Sequence, residues 1–185
     1  MLKIETKILD LSQQVCLIFA MMAWHLETER KFLLLMREWH RVKKPAGILI
    51  TQGYLSVQAG LTVRVRLMDH LCYLTIKGKR TGVSRREFEC EIPYDEGLEL
   101  LKMCPGHVIR KTRYRIPFSG NTWDVDIFSG ENQGLCLAEI ELKRPDEDFI
   151  RPGWIGREVT GFRKYDNSYL ANHPFGKWSI GESNP

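Results

Sequence analysis

The 185-residue chain lacks the patterns that mark zinc, disulfide and membrane proteins. Its five cysteines are odd in number and form no CxxC pair, which is typical of free thiols in a reducing compartment. Its five histidines form no HxxxH pair, so a bound metal should have oxygen ligands and not be zinc. No apolar run is long enough to span a bilayer. We therefore predict a cytoplasmic protein without membrane association.

A strong charge excess and a second domain are also missing. The formal net charge is only +4, a basic bias too weak to predict nucleic-acid binding. The chain contains no internal repeat, low-complexity segment or composition change that would mark a domain boundary. Its length is sufficient for one domain with a sizeable core. The positions of the charges are therefore more informative than their sum.

The N-terminus differs from the rest of the chain, because it holds an apolar run of about ten residues, too short for a membrane span. A signal peptide is one interpretation, since Lys3 and Lys7 precede the run. The alternatives are a helix packed on the domain and a start site placed too far upstream. We expect an extension at 1–24, a domain at 25–172 and a tail at 173–185.

From residue 25 onward, apolar and polar residues alternate with a period of two, which is typical of half-buried β-strands. Gly- and Pro-containing turns separate the segments, and residues 94–104 have helical spacing. The predicted strands are 25–36, 48–58, 61–68, 71–77, 84–92, 107–116, 122–128 and 135–143. Such short strands at regular spacing predict an antiparallel sheet or barrel.

Six of these segments carry two like charges at positions two apart, which point to one face of a strand. The pairs are Glu27/Glu29, Arg64/Arg66, Glu87/Glu89, Lys111/Arg113, Asp124/Asp126 and Glu139/Glu141. Adjacent like charges repel, but a cation neutralises carboxylates and a polyanion neutralises Arg and Lys. An open sheet with a solvated charged face remains possible. The paired signs favour a closed barrel with the charges inside.

The charged segments also match a known family. The first, Glu27-Thr28-Glu29-Arg30-Lys31, is an ExExK motif followed by Phe32. Further matching segments follow in order at 52–55, 63–66, 74–77, 84–89, 111–114, 123–128, 138–141, 158–160 and 165–171. Over about residues 25–172 the chain resembles the CYTH family, the triphosphate tunnel metalloenzymes.

The resemblance implies a mainly β (α+β) fold, in which an eight-stranded antiparallel β-barrel forms a charged tunnel with a few peripheral helices. It implies metal-dependent hydrolysis of a small-molecule triphosphate, with inorganic tripolyphosphate favoured, and is compatible with a homodimer. The alternatives are an adenylate cyclase of the class IV type and a nucleoside or thiamine triphosphatase. A further alternative is a barrel that binds polyphosphate or nucleotide without turnover.

Family resemblance and ligand chemistry together imply roles for the charged residues. Carboxylates would hold Mg²⁺ or Mn²⁺ through Glu27, Glu29, Asp124, Asp126, Glu139 and Glu141. Cations would bind the phosphates through Lys31, Arg64, Arg66, Lys77, Lys111, Arg113 and Lys164. Catalysis is expected to involve Lys31, Lys77, Glu87 and Glu89, of which the two glutamates could hold a second metal or orient the cations.

Several polar residues near these motifs are expected to have structural or solvated positions. Arg30 has the opposite parity to the motif glutamates and should point outward. Arg85 has inward parity but lies near a strand end, so we expect it at a solvated rim. Arg80 belongs to a glycine-bounded loop that should be solvated.

Overall fold

The computed structural model describes residues 24–179 and residue 181. The predicted N-terminal extension therefore lies outside the described residues, apart from Trp24. Within the described part of the chain, no helix is long and apolar enough to cross a membrane.

The described residues form a mainly β structure with short helices. The strands are β1 (His25–Leu34), β2 (Ile48–Gln58), β3 (Leu61–Met68), β4 (Leu71–Gly78), β5 (Ser84–Glu91), β6 (Ile109–Phe118), β7 (Asn121–Ser129), β8 (Cys136–Glu141) and β9 (Ile155–Glu158). The α-helices are α1 (Met36–Trp39), α2 (Tyr94–Lys102) and α3 (Asn167–Leu170). Single 3₁₀ turns occur at Gly130–Asn132, Arg163–Tyr165 and Phe175–Lys177.

Eight of the strands form a closed antiparallel barrel. The ring of hydrogen-bonded neighbours runs β1-β5-β4-β3-β2-β6-β7-β8 and returns to β1. Strand β1 closes the ring, because residues 25–28 pair with β5 while residues 29–33 pair with β8. The predicted eight-stranded antiparallel barrel with peripheral helices is therefore confirmed.

The outer face of the barrel carries the largest apolar core. In β1, Glu27 and Lys31 line the interior, whereas Phe32 packs outside, with its ring centroid 5.5 Å from that of Trp123. Residues of α1 and β9 complete this core. Its buried members are Phe32, Trp39, Ile116, Trp123, Val125, Ala138, Ile140, Leu142, Trp154 and Ile155. The apolar face of the strands is thus covered from outside, which leaves the charged face for the interior.

Helix α2 covers another part of the wall, over β3 and β4. Val65, Leu67 and Cys72 are buried there. A Cβ atom at Gly97 of α2 would lie only 2.1 Å from the Cys72 sulfur. The close approach of the helix to the barrel therefore requires glycine at this position.

One end of the barrel is closed by apolar side chains. Leu33, Ile109, Phe128 and Leu137 have the inward parity of the charged residues but join a buried cluster instead. The chain after β9 completes this cluster with Val159, Tyr165, Leu170 and Ala171. The interior is therefore blind at this end, and the segment 163–171 covers it.

Two differences from the predicted strands affect how the barrel is covered. Strand β1 ends at Leu34 instead of residue 36, because the chain turns into α1 and buries Trp39 in the outer core. Residues 155–158, which are in none of the predicted strands, form β9 and pair with the part of the β1 edge that β5 leaves uncovered. Both differences depend on contacts between segments distant in sequence.

Arg30 and Glu158 join β1 to β9 on the outside of the barrel. Arg30 donates hydrogen bonds to both carboxylate oxygens of Glu158, at 2.5 and 2.8 Å. The outward orientation expected for Arg30 is thus confirmed. The hydrogen bonds from Arg30 hold the pKa of Glu158 below its ordinary value of 4.5.

Replacing Glu158 by Gln should destabilise the fold in a pH-dependent way. Because the folded-state pKa is lowered, the stabilisation is present above pH 4.5 and is lost as the pH falls through the lowered value. We expect Glu158→Gln to reduce the free energy of unfolding by about 1 kcal/mol at pH 7. Urea unfolding from pH 7 to pH 3 measures this difference, which should shrink toward acid pH.

The control for this experiment is Asp146→Asn, which removes an exposed ion pair with Arg144. It should change stability by less than about 0.5 kcal/mol at every pH. A Glu158→Gln deficit that is constant across the pH range would contradict the assignment of the stabilisation to the charged pair.

Candidate active site

The barrel encloses a cavity of about 780 Å³ with a mostly charged lining. The charged residues of the lining are Glu27, Glu29, Lys31, Arg64, Arg66, Lys77, Arg85, Glu87, Glu89, Lys111, Arg113, Arg115, Asp124, Glu139, Glu141, Lys143 and Asp166. All of the predicted site residues except Asp126 and Lys164 therefore lie on one cavity.

The two predicted residues outside the lining have different positions. Asp126 is 1% exposed and lies in the wall beneath two cations. The Nζ atom of Lys164 lies 5.1 Å from the ring centroids of both Tyr165 and Trp178. Substrate binding by Lys164 stays a prediction.

Glu27 lies between two cations on neighbouring strands. Its carboxylate oxygens accept hydrogen bonds from Lys77 Nζ at 2.7 Å and from Arg85 Nε at 2.5 Å. Burial favours the protonated carboxyl, but the two cations hold the pKa of Glu27 well below its usual range. The predicted rim position of Arg85 is wrong, because its guanidinium turns inward to Glu27.

Lys31 is the lysine next to the closed end of the cavity, and its Nζ lies 3.4 Å from the Tyr165 carbonyl oxygen. The same Nζ lies 3.0 Å from Glu139 and 3.7 Å from Glu29. Burial disfavours the ammonium form, but the neighbouring carboxylates raise the pKa of Lys31 above its ordinary value. Lys31 thus remains charged in a site that is almost closed to solvent.

Two residues of this region were not predicted from the sequence. Arg80, expected in a solvated loop, reaches from the β4–β5 connection and donates to Glu29 at 3.0 Å. Asp166 lines the cavity with its Oδ1 atom 3.8 Å from Lys31 Nζ. Gly82 after the loop has φ +60°, which allows the tight turn that returns the loop to the barrel. Glycines beside a basic dipeptide were the available signal for Arg80, and the matching segment 165–171 was the available signal for Asp166.

Glu89 organises the two arginines of β3. Its carboxylate accepts hydrogen bonds from Arg64 at 3.2 Å and from Arg66 at 2.9 Å. Thr75 donates to the same oxygen at 2.7 Å. Burial raises the pKa of Glu89, but Arg66 and the Thr75 hydrogen bond lower it by more. An ionised Glu89 fixes both guanidinium groups at the cavity wall.

Asp126 organises the cations of β6. Lys111 donates to its Oδ2 atom, and Arg113 donates to both of its oxygens at 2.7 Å. Arg113 also reaches Asp124 at 2.8 Å and Glu139 at 3.0 Å. Burial raises the pKa of Asp126, but Arg113 and Lys111 lower it by more. Asp126 is therefore a buried anion that supports two phosphate-binding candidates.

The arrangement of cations and carboxylates inside a closed barrel agrees with a comparison of the sequence with known families. Residues 25–171 match the CYTH domain family. The chain belongs to the CYTH family. The match covers all nine strands and α3, so both the barrel and the segment that closes it are CYTH elements.

Two relatives of this chain bear the name inorganic triphosphatase. The protein from Acetivibrio thermocellus is 47% identical over 152 residues, which cover 80% of this chain and 95% of that protein. The protein from Nitrosomonas europaea is 33% identical over 153 residues, which cover 78% of this chain and 96% of that protein. The crystal structure of the inorganic triphosphatase NE1496 has a TM-score of 0.56 at 29% identity, covering 78% of this chain and 93% of that one.

The CYTH family implies a divalent metal ion, and the chemistry of the cavity fits one. In the described part of the chain, no three acidic, histidine or cysteine side chains converge closely enough to hold a metal as they stand. Several acids instead face Lys and Arg. Burial, with Glu27 and Glu87 nearby, raises the pKa of Glu141. A hard divalent cation with oxygen ligands would relieve the repulsion between these carboxylates.

Replacing Asp126 by Asn should strongly destabilise the protein, because two buried cations would lose their shared partner. We expect the free energy of unfolding to fall by about 3 kcal/mol in Asp126→Asn. The measurement is urea unfolding in metal-free buffer.

Asp124→Asn is the matched control, since Asp124 is on the same strand and contacts Arg113 but is 26% exposed. The free energy of unfolding should fall clearly less in Asp124→Asn than in Asp126→Asn. Equal stability of Asp126→Asn and the parent protein would contradict a structural role for Asp126.

Proposed function

We propose that this CYTH chain is a metal-dependent triphosphatase that hydrolyses inorganic tripolyphosphate to diphosphate and phosphate. The observation that carries the proposal is a blind cavity in which Lys and Arg from several strands alternate with carboxylates. Simple capture of a polyanion needs the cations but few of the carboxylates. The names of the two relatives support the same activity.

The arginines of β3 and β6 would bind the phosphate oxygens. Arg64 and Arg66 are held by Glu89, and Arg113 by Asp126, so their planar forks are fixed before the substrate arrives. Fixed guanidinium groups make bidentate contacts with phosphate at a low entropic cost. Lys31, Lys77 and Lys111 would add point charges along the same wall.

The carboxylates that would hold the metal lie mainly on β1 and β8. The proposed ligands are Glu27, Glu29, Glu139 and Glu141, with Asp124 as a further donor. Asp126 is better suited to supporting Lys111 and Arg113, because both cations already contact it. When bound, Mg²⁺ or Mn²⁺ neutralises phosphate charge and makes water more acidic.

Glu87 and Lys77 are the proposed pair for proton handling. Glu87 Oε2 lies 2.6 Å from Lys77 Nζ, and burial raises the pKa of Glu87. A carboxylate with a raised pKa is suited to accept a proton from the attacking water near neutral pH. Lys77 would keep that carboxylate oriented and bind a phosphate oxygen. Positioning and charge stabilisation would supply most of the rate enhancement.

The described cysteines Cys72, Cys90, Cys104 and Cys136 are free thiols. Free thiols fit a reducing compartment, so we propose a cytoplasmic location. A fractionation experiment with a tagged chain would test this location.

A substrate panel tests the activity. The protein with Mg²⁺ or Mn²⁺ should release phosphate from tripolyphosphate faster than from ATP or thiamine triphosphate, and should form no cyclic AMP. Phosphate release and cyclic AMP are measured in parallel, with EDTA as the control. Turnover of none of these compounds would reject the enzyme proposal. A higher rate on ATP would reject the tripolyphosphate preference.

The metal assignment predicts a loss of activity in Glu29→Gln. This change keeps the size of the side chain but removes a charged metal ligand, so kcat/KM should fall by at least about 100-fold. The thermal midpoint without metal should stay close to that of the parent protein. Glu38→Gln is the control, because Glu38 lies outside the barrel and pairs with Arg41. Unchanged activity in Glu29→Gln would contradict the assignment.

A further inference from the structure

Asp166 is an acidic residue at the blind end of the cavity, next to Lys31. Glu29 and Glu139 also contact Lys31 but are proposed metal ligands, whereas Asp166 is not. Its Oδ1 atom lies 3.8 Å from Lys31 Nζ and 4.0 Å from the Arg80 guanidinium. The apolar cluster that closes the barrel begins directly behind it with Tyr165. An anionic chain that entered from the open end would reach Asp166 last.

The local structure directs the Asp166 side chain into the cavity. Asp166 is the residue before α3, where an aspartate commonly caps the helix through its side chain. Here the Asp166 side chain makes no capping hydrogen bond. Only its backbone carbonyl accepts hydrogen bonds, from the backbone amides of Tyr169 and Leu170. The next residue, Asn167, also lines the cavity, and its buried Oδ1 atom lacks a hydrogen-bond partner. The blind end thus presents the carboxylate of Asp166 toward the substrate.

Space alone does not limit how long a bound phosphate chain can be. The cavity of about 780 Å³ falls in the range of pockets for drug-sized ligands, which exceed three phosphate groups in size. A fourth phosphate would have room, but it would be driven toward the carboxylate of Asp166. Like charges brought this close are disfavoured, and such repulsion is a common source of specificity.

We propose that Asp166 is a specificity-determining residue that sets the length of the linear polyphosphate accepted by the cavity. Lys31 and Arg80 bind the innermost phosphate, and Asp166 repels any further one. This inference rests on the proposed function for the identity of the substrate class. It adds a residue that discriminates between substrates of the same chemistry.

The test compares tripolyphosphate with tetrapolyphosphate in the full chain and in Asp166→Asn, which keeps the side-chain shape and removes the charge. The parent protein should prefer tripolyphosphate in kcat/KM. In Asp166→Asn the ratio of kcat/KM for tetrapolyphosphate to that for tripolyphosphate should rise at least about tenfold. Asp146→Asn is the control, because Asp146 is exposed and is not part of the lining, and it should leave the ratio unchanged.

The outcomes separate this inference from other roles of Asp166. Equal gains on both substrates would mean that Asp166 only competes with phosphate for Lys31, and equal losses would mean a structural role. Either result overturns the inference. If the parent protein turns over neither compound, calorimetric binding of the same two polyphosphates to the same variants replaces the kinetic ratio. An unchanged affinity ratio would then overturn the inference, and the absence of turnover would separately reject the proposed activity.

Discussion

The pairing of four β1 residues, 25–28, with β5 is the interaction on which the cavity depends. It converts a curved sheet with a charged face into a closed ring and removes both edges of the sheet. Without it, the like-charged pairs would be solvated and weakly coupled. With it, charges on opposite strands face each other where water is scarce, so each interaction is stronger than at a surface.

Closure also forces the interior charges to neutralise one another. Glu27 has Lys77 and Arg85, Glu89 has Arg64 and Arg66, and the wall beneath β6 has Asp126. Ion pairs of this kind do not make a large net contribution to stability, because burial of each charge is costly. Their value is orientation, since the cations are fixed in position before a phosphate arrives. Binding of a metal and a polyanion must then exchange partners within an existing network.

The barrel could be predicted from the sequence because the alternation of apolar and charged residues is periodic and local. Strands β2 and β3 have the bounds that alternation predicted, and most others differ by one or two residues at an end. The predicted lining was also largely correct, because parity decides which side chains point inward. Arg85 is the exception. Its parity was known, but whether a strand-end residue is buried depends on the neighbouring strand.

Residues outside the strands could not be placed by parity. Arg80 reaches Glu29 because a loop returns over the β1 edge between β5 and β9. Asp166 reaches Lys31 because the chain after β9 folds across the barrel end. Both positions result from contacts between segments far apart in sequence, and neither residue belongs to a repeating pattern. The contributions of these residues to the site therefore became visible only in the folded structure.

The apolar cluster of Tyr165 and its neighbours has a consequence for substrate entry and product release. A passage with two openings can admit substrate at one end and discharge products at the other. This barrel is closed at one end and has a single opening. A new substrate can therefore bind only after the products have dissociated through the same opening. The product nearer the opening has to dissociate before the inner product can leave. The order of departure is thus imposed by the architecture and not by the relative affinity of the two products.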